Sequence, residues 1–515
     1  MNSCHIYLTT TIPYVNAAPH LGHALEFVQA DALARHYRRR GDPVRFQTGT
    51  DDNSLKNVLA ANAAGVSVRD LVDANAAAFE ALAGPLSLSV DDVIRTSSDP
   101  RHRVGVERLW QACAQAGDLY RRHYEGLYCV GCEAFYTESE LDGGVCPDHG
   151  IPPQLVAEEN WFFRLSRYAD RLGDEIKAGR LRIEPAGRRN EVLAFIEAGL
   201  ADFSVSRSTA RAHGWGIPVP GDPGQVIYVW FDALGNYVTA LGYGSDEANL
   251  SRWWTGASRR IHLLGKGVLR FHAVYWPAIL ASAGLPLPTD LLVHDHLTVE
   301  GRKISKSGGI TVDPAALVAD FGTDAVRWWL LREVPRIGDA DFSRERLVTR
   351  ANDELANGIG NLVSRVFGLI SRYRDGVVPA AERPPPSSNA LLDARRSAPE
   401  LAEAALAVGD FRRATAAVWA IAAEANRYVS QSRPWLLAEA ERGGNQRAGR
   451  DLDAILACLV STCQDLARQL EPFLPDASER IAAACRAPGE RASAARQLFT
   501  RLTPRGTSAA VEAAP

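Results

Sequence analysis

The chain has 515 residues and a formal net charge of −4, with 23% charged and 46% hydrophobic residues. That length exceeds one compact core and predicts about two to four domains of an ordinary soluble globular kind, excluding disordered and fibrous classes. The charge offers no global basic field announcing nucleic acid, although a large enzyme can confine basic surface to one face.

No apolar run reaches the roughly 18 residues that span a bilayer. The opening MNSCHIYLTTTIPYV lacks the charged and then apolar regions of a secretory signal. Eight cysteines in this length suit a reducing compartment. A cytoplasmic protein with no membrane partner is expected.

In chain order, IYLTTTIPYV reads as a strand ending in a Pro/Asn/Ala loop. From His20, HLGHALEFVQADALARHYRRR predicts a helix that stops at Gly41, and PVRFQTGT predicts a second strand. Strand, helix and strand in succession form the βαβ unit of a parallel sheet, whose loops at the strand carboxyl ends carry ligands. Helical patterns then run to residue 117. The stretch YCVGCEAFYTESELDGGVCPDHGIPP is loop-rich, with paired cysteines. VIYVWFDALGNYV and IHLLGKGVLRFHAVYWPAIL both have strand-then-helix texture and predict the second half of the same sheet. Beyond residue 346 Ala-rich periodic segments predict a helical bundle, with VVPAAERPPPSSN as an inter-helix loop and TPRGTSAAVEAAP as a disordered tail.

The strongest local signal is Cys129-x2-Cys132 followed by Cys146-x2-His149. Each close pair can ride a tight knuckle, and two knuckles supply four N/S ligands for a tetrahedral zinc. With all four positions filled by protein, one Zn²⁺ per chain would be structural.

His20 and His23 open the first helix with Gly22 between them. Spacing i, i+3 puts both imidazoles on one face, beside unpaired helix N–H groups that suit phosphate oxygens. Gly22 would let a nucleotide lie close against the backbone. Alone the pattern is weak, since an isolated helix-start histidine is more often a cap or surface residue. It gains weight from GRKISKSGG, some 280 residues later, in which two lysines sit between glycines.

HLGH and KISKS together resemble the two signatures of class I aminoacyl-tRNA synthetases. The resemblance covers nearly the whole chain. TTTIPYVNAAPHLGHA, GLYCVGCEAFYTESEL, CPDHG, NWFFRLS, VIYVWFDALGNYV, RFHAVYWPAIL and HLTVEGRKISKS are similar to methionyl-tRNA synthetases of the single-zinc branch. The gap between the signatures is too short for the editing domain of the valine, isoleucine and leucine enzymes.

The resemblance implies an α/β fold: a Rossmann-type parallel-sheet catalytic domain with a zinc-knuckle insertion, then an all-α helical-bundle anticodon-binding domain. The expected boundaries are 1–117 and 225–290 for the two halves of the catalytic domain, and 118–224 for the insertion. A lysine-loop and stem-contact region follows at 291–345, the anticodon domain at 346–500 and the tail at 501–515.

The implied activity is ATP-dependent methionine activation and transfer to tRNA(Met), with Mg²⁺ accompanying ATP. His20, Gly22, His23, Lys303 and Lys306 would bind ATP; the histidines and lysines would also be catalytic, with the glycines letting the lysine loop swing. Ile12, Tyr14, Trp230, Tyr237 and His294 would form the methionine pocket, and Asp51 would hold the α-amino group. Aromatic rings around a polarizable thioether gain contacts that a branched aliphatic lacks. Asn357, Asn361, Arg365, Pro434 and Trp435 would read a CAU anticodon. A monomer is expected.

Three segments depart from the family pattern. TDEHG becomes Thr50-Asp51-Asp52-Asn53-Ser54, GKD becomes Gly265-Lys266-Gly267, and HG becomes His294-Asp295. They suggest a divergent paralogue with a retuned pocket or a tolerance to inhibitors. The competing readings are an enzyme that activates an amino acid for a non-tRNA acceptor, and a degenerate tRNA-binding protein. Ile304 stands where the family motif has methionine, in a chain whose single methionine is Met1.

Overall fold

The structure, a computed structural model, describes residues 5–129, 134–147, 150–304, 311–381, 383–491 and 498–503. The chain divides into two compact units. The first comprises residues 1–19, 40–83 and 89–294; the second comprises 20–39, 84–88 and 295–515. Among the described residues no helix is long and apolar enough to cross a membrane.

The first unit is built on a six-stranded sheet ordered β3-β2-β1-β12-β13-β7. Its strands are β1 (Ile6–Thr10), β2 (Val44–Thr50), β3 (Asp92–Arg95), β7 (Arg182–Glu184), β12 (Arg259–Gly265) and β13 (Asp290–His294). All five pairings are parallel. The strand order steps outward from β1 in both directions, so the β1/β12 boundary is the switch point where open α/β sheets place their ligand crevice. Strands of a buried parallel sheet need apolar side chains on both faces. IYL of β1 and IHLL of β12 meet that need, with Tyr7, Leu8, Ile261 and Leu264 all fully buried.

Three expectations are corrected here. VIY does not enter the parallel sheet: β11 (Asp222–Ile227) lies between β10 (Pro218–Val219) and β9 (Ser206–Ser208) in a small antiparallel sheet. Strand-then-helix texture cannot tell which sheet a strand joins. Conversely β7, inside the segment expected to be wholly insertion, returns to pair with β13 through Arg182–Asp290 and its neighbours. The stretch read as helical to residue 117 contains β3, four residues long between helices.

The insertion itself is a four-stranded antiparallel sheet, β5-β4-β6-β8, from β4 (Leu119–Cys129), β5 (Ala134–Tyr136), β6 (Gln154–Phe163) and β8 (Phe203–Ser204).

The second unit holds helix α1 (Leu21–Arg39), a small sheet and the helical bundle. In the small sheet β14 (Leu297–Val299) lies between β15 (Arg302–Lys303) and β16 (Ala340–Asp341). The β14–β15 hairpin turns on Glu300 and Gly301, both with positive φ (53° and 72°), as a two-residue primed turn requires. The bundle includes α3 (Thr323–Arg332), α4 (Asn361–Arg374), α5 (Phe411–Ser432), α6 (Pro434–Arg442) and α7 (Gln446–Leu470), with α2 (Val229–Thr239) belonging to the first unit. α4 contacts α5, α6 and α7. The expected disordered tail is corrected at its start: residues 501–503 have no regular structure, but the Leu502 backbone exchanges two hydrogen bonds with the Asn352 side chain, at 2.9 and 2.8 Å; the rest of it lies outside the described residues.

Candidate functional site

In the first unit the candidate amino-acid residues gather at the carboxyl ends of the central strands. Ile12 and Tyr14 follow β1, Asp51 follows β2 and His294 ends β13. Tyr14 and Asp51 are joined by a parallel bridge, with the Asp51 amide donating to the Pro13 carbonyl at 2.9 Å. Gly49 is required beneath them: a Cβ there would meet the Ile94 carbonyl at 2.2 Å and Ile12 Cγ2 at 3.1 Å. Gly265 is likewise overlain by the His294 ring, 3.3 Å from where a Cβ would sit.

Trp230 and Tyr237 lie on one face of α2. The Tyr14 and Trp230 rings are 6.3 Å apart, edge to face at 68°, and Trp230 stacks on Phe271 at 3.6 Å and 6°. Among the described residues the buried Trp230 indole N–H has no acceptor, so a bound ligand or a water would accept from it. The Tyr237 hydroxyl is 2.7 Å from His272 Nε2, and His272 Nδ1 is 2.9 Å from the Val268 carbonyl. The carbonyl can only accept, so His272 carries its proton on Nδ1 and Tyr237 donates to Nε2. Sequence reasoning missed Phe271 and His272; their signal was the aromatic-rich run RFHAVYWPAIL.

His262 on β12 completes this wall, 4.1 Å from the Tyr237 ring. Its Nε2 accepts from the Trp276 indole at 3.2 Å, which leaves Nδ1–H to donate to Thr9 Oγ1 at 2.6 Å. Burial, with His272 and Arg260 nearby, holds its pKa well below the ordinary 6.5. The unfolded chain therefore binds this proton first. The contribution to stability is complete above pH 6.5 and shrinks as pH falls below it, by up to about 1.4 kcal/mol per unit. The thermal midpoint is expected to drop between pH 7.5 and 5.5, and to drop less in His262→Gln; identical slopes would contradict this.

The departures from the family pattern acquire physical roles. Asn53 donates to Asp232 Oδ2 at 2.7 Å, and Asp232 Oδ1 lies 2.5 Å from the buried His102 Nε2. Ser54 caps the following helix, accepting from the Lys56 amide at 3.0 Å. Asp52 is buried and is held by Ser97 at 2.7 Å and Arg95 at 3.1 Å. Gly267 sits in a short 3₁₀ turn, Lys266–Val268. The carboxylate gained at Asp295 belongs to the second unit and accepts from the Gly338 amide at 2.6 Å.

The phosphate candidates lie in the second unit. His20 and His23 stack at 3.7 Å and 19°. His23 Nδ1 accepts from the His20 amide at 3.0 Å, and His20 Nδ1 accepts from the Gly22 amide at 3.1 Å. With both Nδ1 atoms accepting, each neutral ring carries its proton on Nε2, a donor suited to an anionic oxygen. Gly22 has a nearer reason than nucleotide clearance: a Cβ would stand 2.9 Å from His20 Cε1.

The two signatures meet through the backbone, where the Leu21 amide donates to the Val312 carbonyl at 2.9 Å. On the other side of the lysine segment Ile304 is buried, and its amide donates to the Leu297 carbonyl at 3.1 Å. Lys303 belongs to β15, whereas its side chain and Lys306 lie outside what is described.

On the helical side, Arg365 and Trp435 line one pocket of about 390 Å³. Asn357 and Asn361 are exposed further along the same run, and Asn361 reaches Asn426 at 3.5 Å. Asn357, Asn361 and Arg365 are spaced i, i+4 and i+8 but do not share one regular α-helical face, because Ala351–Gly360 makes π-helical turns before α4 begins. Pro434 is buried at the start of α6, immediately before the exposed Trp435.

Of the metal candidates, Cys129 and Cys146 are fully buried thiols. Around the second knuckle the Gly150 amide donates to the Cys146 carbonyl at 2.7 Å, with Gly150 at φ 64°. Cys132 and His149 lie outside the described residues, and among the described residues no group of three metal-ligating side chains occurs.

The family model for class I tRNA synthetases (M) matches residues 6–152 and 149–367, and the chain belongs to the class I aminoacyl-tRNA synthetases. The methionine–tRNA ligase of Brucella melitensis is 40% identical over 500 residues, covering 96% of this chain and 94% of that one. The methionine–tRNA ligase of Caldanaerobacter subterraneus is 40% identical over 476 residues, covering 92% and 73%. The crystal structure of Mycobacterium tuberculosis methionyl-tRNA synthetase bound by methionyl-adenylate aligns with a TM-score of 0.90 at 36% identity, covering 96% of this chain and all of that one. Within the class, the chain belongs to the methionyl-tRNA synthetases.

Proposed function

We propose that this protein is a methionine–tRNA ligase that activates methionine with ATP and charges tRNA(Met), and that the residues gathered above carry the reaction. The observation that supports this reading best is the Leu21–Val312 hydrogen bond, which joins two phosphate-directed segments far apart in sequence.

In the first step a methionine carboxylate oxygen attacks the α-phosphorus in line, forming methionyl-adenylate and releasing pyrophosphate. His20 and His23 donate Nε2–H to phosphate oxygens as their charge grows, and Lys303 and Lys306 neutralise the departing pyrophosphate. Mg²⁺ would enter with ATP as part of the substrate and would supply screening of the triphosphate charge. In the second step the ribose 2′-hydroxyl of the terminal nucleotide attacks the activated carbonyl and AMP leaves. Positioning and charge stabilisation supply most of the rate.

Tyr14, Trp230, Tyr237 and His294, with Ile12, enclose the thioether side chain, while Asp51 receives the α-ammonium group. A charge-assisted hydrogen bond of this kind contributes about 1.5–3 kcal/mol. Asp51→Asn should therefore raise KM for methionine by about 10- to 100-fold with the ATP dependence little changed; a KM near that of the parent would contradict the assignment.

A structural zinc on Cys129, Cys132, Cys146 and His149 fits the buried thiols and the tight turn at Gly150. When bound it cross-links the two knuckles. Cys129→Ser is expected to lose the metal, read by elemental analysis, and to become more sensitive to proteolysis in the insertion. Full metal content in the variant would refute that ligand set.

Asn357, Asn361, Arg365, Pro434 and Trp435 form the proposed anticodon face, on which single-stranded bases stack and expose their edges to polar side chains. Charging of tRNA transcripts tests the reading: a CAU anticodon supports charging, and altering it abolishes most of it. Equal charging of both would turn the argument towards an acceptor recognised elsewhere. The protein acts in translation and is expected to do so as a cytoplasmic monomer.

A further inference from the structure

We propose that the tRNA-binding face extends along α4 beyond Arg365, with Gly368 leaving clearance for the anticodon strand and Arg372 clamping one of its backbone phosphates. This rests on the reading of the helical region as the anticodon domain.

Arg365, Gly368, Leu369 and Arg372 fall at i, i+3, i+4 and i+7, and all line the same pocket as Trp435. Gly368 is exposed in the middle of a helix, and among the described residues no heavy atom lies within 4 Å of where its Cβ would be. Glycine is among the worst residues for a helix interior, and no contact among the described residues requires it here. A ligand passing close to the backbone would require it. Neither Arg365 nor Arg372 forms an ion pair among the described residues, whereas Arg374 is tied to Asp453 and Glu441. Two uncompensated guanidinium groups thus face one pocket rimmed by Trp435, which is 40% exposed. The Arg372 guanidinium also lies 5.6 Å from the Tyr373 ring centroid. A cationic groove with an aromatic platform is the usual solution for single-stranded nucleic acid. Two turns along α4 from Arg365, Arg372 contributes a charge for the backbone rather than a reader of base edges.

The test is charging kinetics and tRNA binding against salt, with the full-length enzyme. Arg372→Ala is expected to raise KM for tRNA several-fold, to reduce the log–log salt slope of binding by about 0.7, and to leave discrimination between anticodons unchanged. Arg372→Lys, which keeps the charge, should recover most of the affinity. Gly368→Leu is expected to raise KM for tRNA while methionine-dependent ATP–pyrophosphate exchange stays at the parent rate. Gly368→Ala should raise the thermal midpoint while weakening tRNA binding, opposite signs that a purely structural glycine would not produce. Unchanged KM and salt slope in Arg372→Ala, or a change confined to particular anticodons, would overturn the assignment. Arg365→Ala and Trp435→Ala serve as references: if they weaken binding and Arg372→Ala does not, only this extension fails; if none does, the anticodon reading itself fails.

A second, independent observation concerns composition. We infer that the chain is built to be synthesised when its own product is scarce. Methionine is absent from residues 2–515, whereas tryptophan, which also has a single codon, occurs 11 times. Packing does not exclude it, because leucine-to-methionine exchanges are among the best tolerated in cores and positions such as Leu33, Leu330 and Leu459 are fully buried leucines. Avoidance of oxidation does not account for it either. Oxidisable Cys113, Cys458 and Cys463 are retained in buried positions, where a methionine would be equally shielded. Cells whose copy carries Leu33→Met, Leu330→Met and Leu459→Met, verified to charge tRNA at the parent rate, are expected to accumulate this enzyme more slowly under methionine starvation and to resume growth later. Equal accumulation and regrowth would overturn the inference.

Discussion

Replacing Lys306 by alanine is expected to lower methionine-dependent turnover by about 10²–10³-fold while leaving ATP affinity nearly unchanged. The asymmetry follows from when the lysine acts. A donor that meets charge only as pyrophosphate separates contributes to the transition state and little to the ground state. The chain on either side of the lysine segment is anchored, with Ile304 buried beside β14 and the Val312 carbonyl bonded to Leu21. The exchange of methionine for isoleucine at Ile304 keeps that apolar anchor. His20 and His23 stand one turn or less from Leu21, so the histidine pair and the chain that follows the lysine segment share one backbone frame. Steady-state exchange kinetics check the expectation; equal losses in turnover and ATP affinity would contradict a transition-state role.

The second large effect is on stability. Arg327 and Asp31 form an ion pair at 2.8 Å with both side chains wholly buried. Arg327 also donates to the carbonyls of Leu86 at 2.9 Å, Pro472 at 3.2 Å and Phe473 at 2.8 Å. Asp31 lies on α1, the helix that begins just after His20. Removing one partner of a buried pair costs about 3–5 kcal/mol, because the other charge stays in a low-dielectric interior. Arg327→Leu should lower the thermal midpoint by on the order of 10 °C. Arg327→Lys should recover little, since an ammonium cannot reproduce a planar fork that reaches several acceptors. Exchange activity below the new midpoint should fall as well, because α1 presents the histidine pair. A midpoint shift within about 2 °C would show that the pair is not holding α1.

The first βαβ unit was legible because β1 is a continuous run of β-branched, aromatic and apolar residues and the helix after it carries a long, uninterrupted pattern. β3 and β7 were not, being four and three residues long; they exist because neighbouring strands complete their hydrogen bonds, which periodicity cannot convey. The π-helical turns at Ala351–Gly360 were hidden for a similar reason, since the residue types there also suit an α-helix.

In the candidate site, Tyr14, Asp51 and His294 were named through the family resemblance, and in the structure they lie at or just beyond the carboxyl ends of β1, β2 and β13. The partners that orient the pocket could not be placed from sequence, because His102 and Asp232, or Tyr237 and His272, meet only through tertiary packing. The roles of Asn53 and Ser54 emerged likewise. They look like losses against the family pattern, but in the structure one joins a buried network and the other caps a helix.

The most direct test of the central claim is amino-acid-dependent ATP–pyrophosphate exchange with the purified full-length enzyme across all the standard amino acids. The account predicts robust exchange with methionine and, at equal concentration, rates with leucine, isoleucine and valine lower by at least about 10-fold, since small apolar differences in a pocket discriminate only to that order. Exchange that is absent with methionine, or faster with another amino acid, would contradict it.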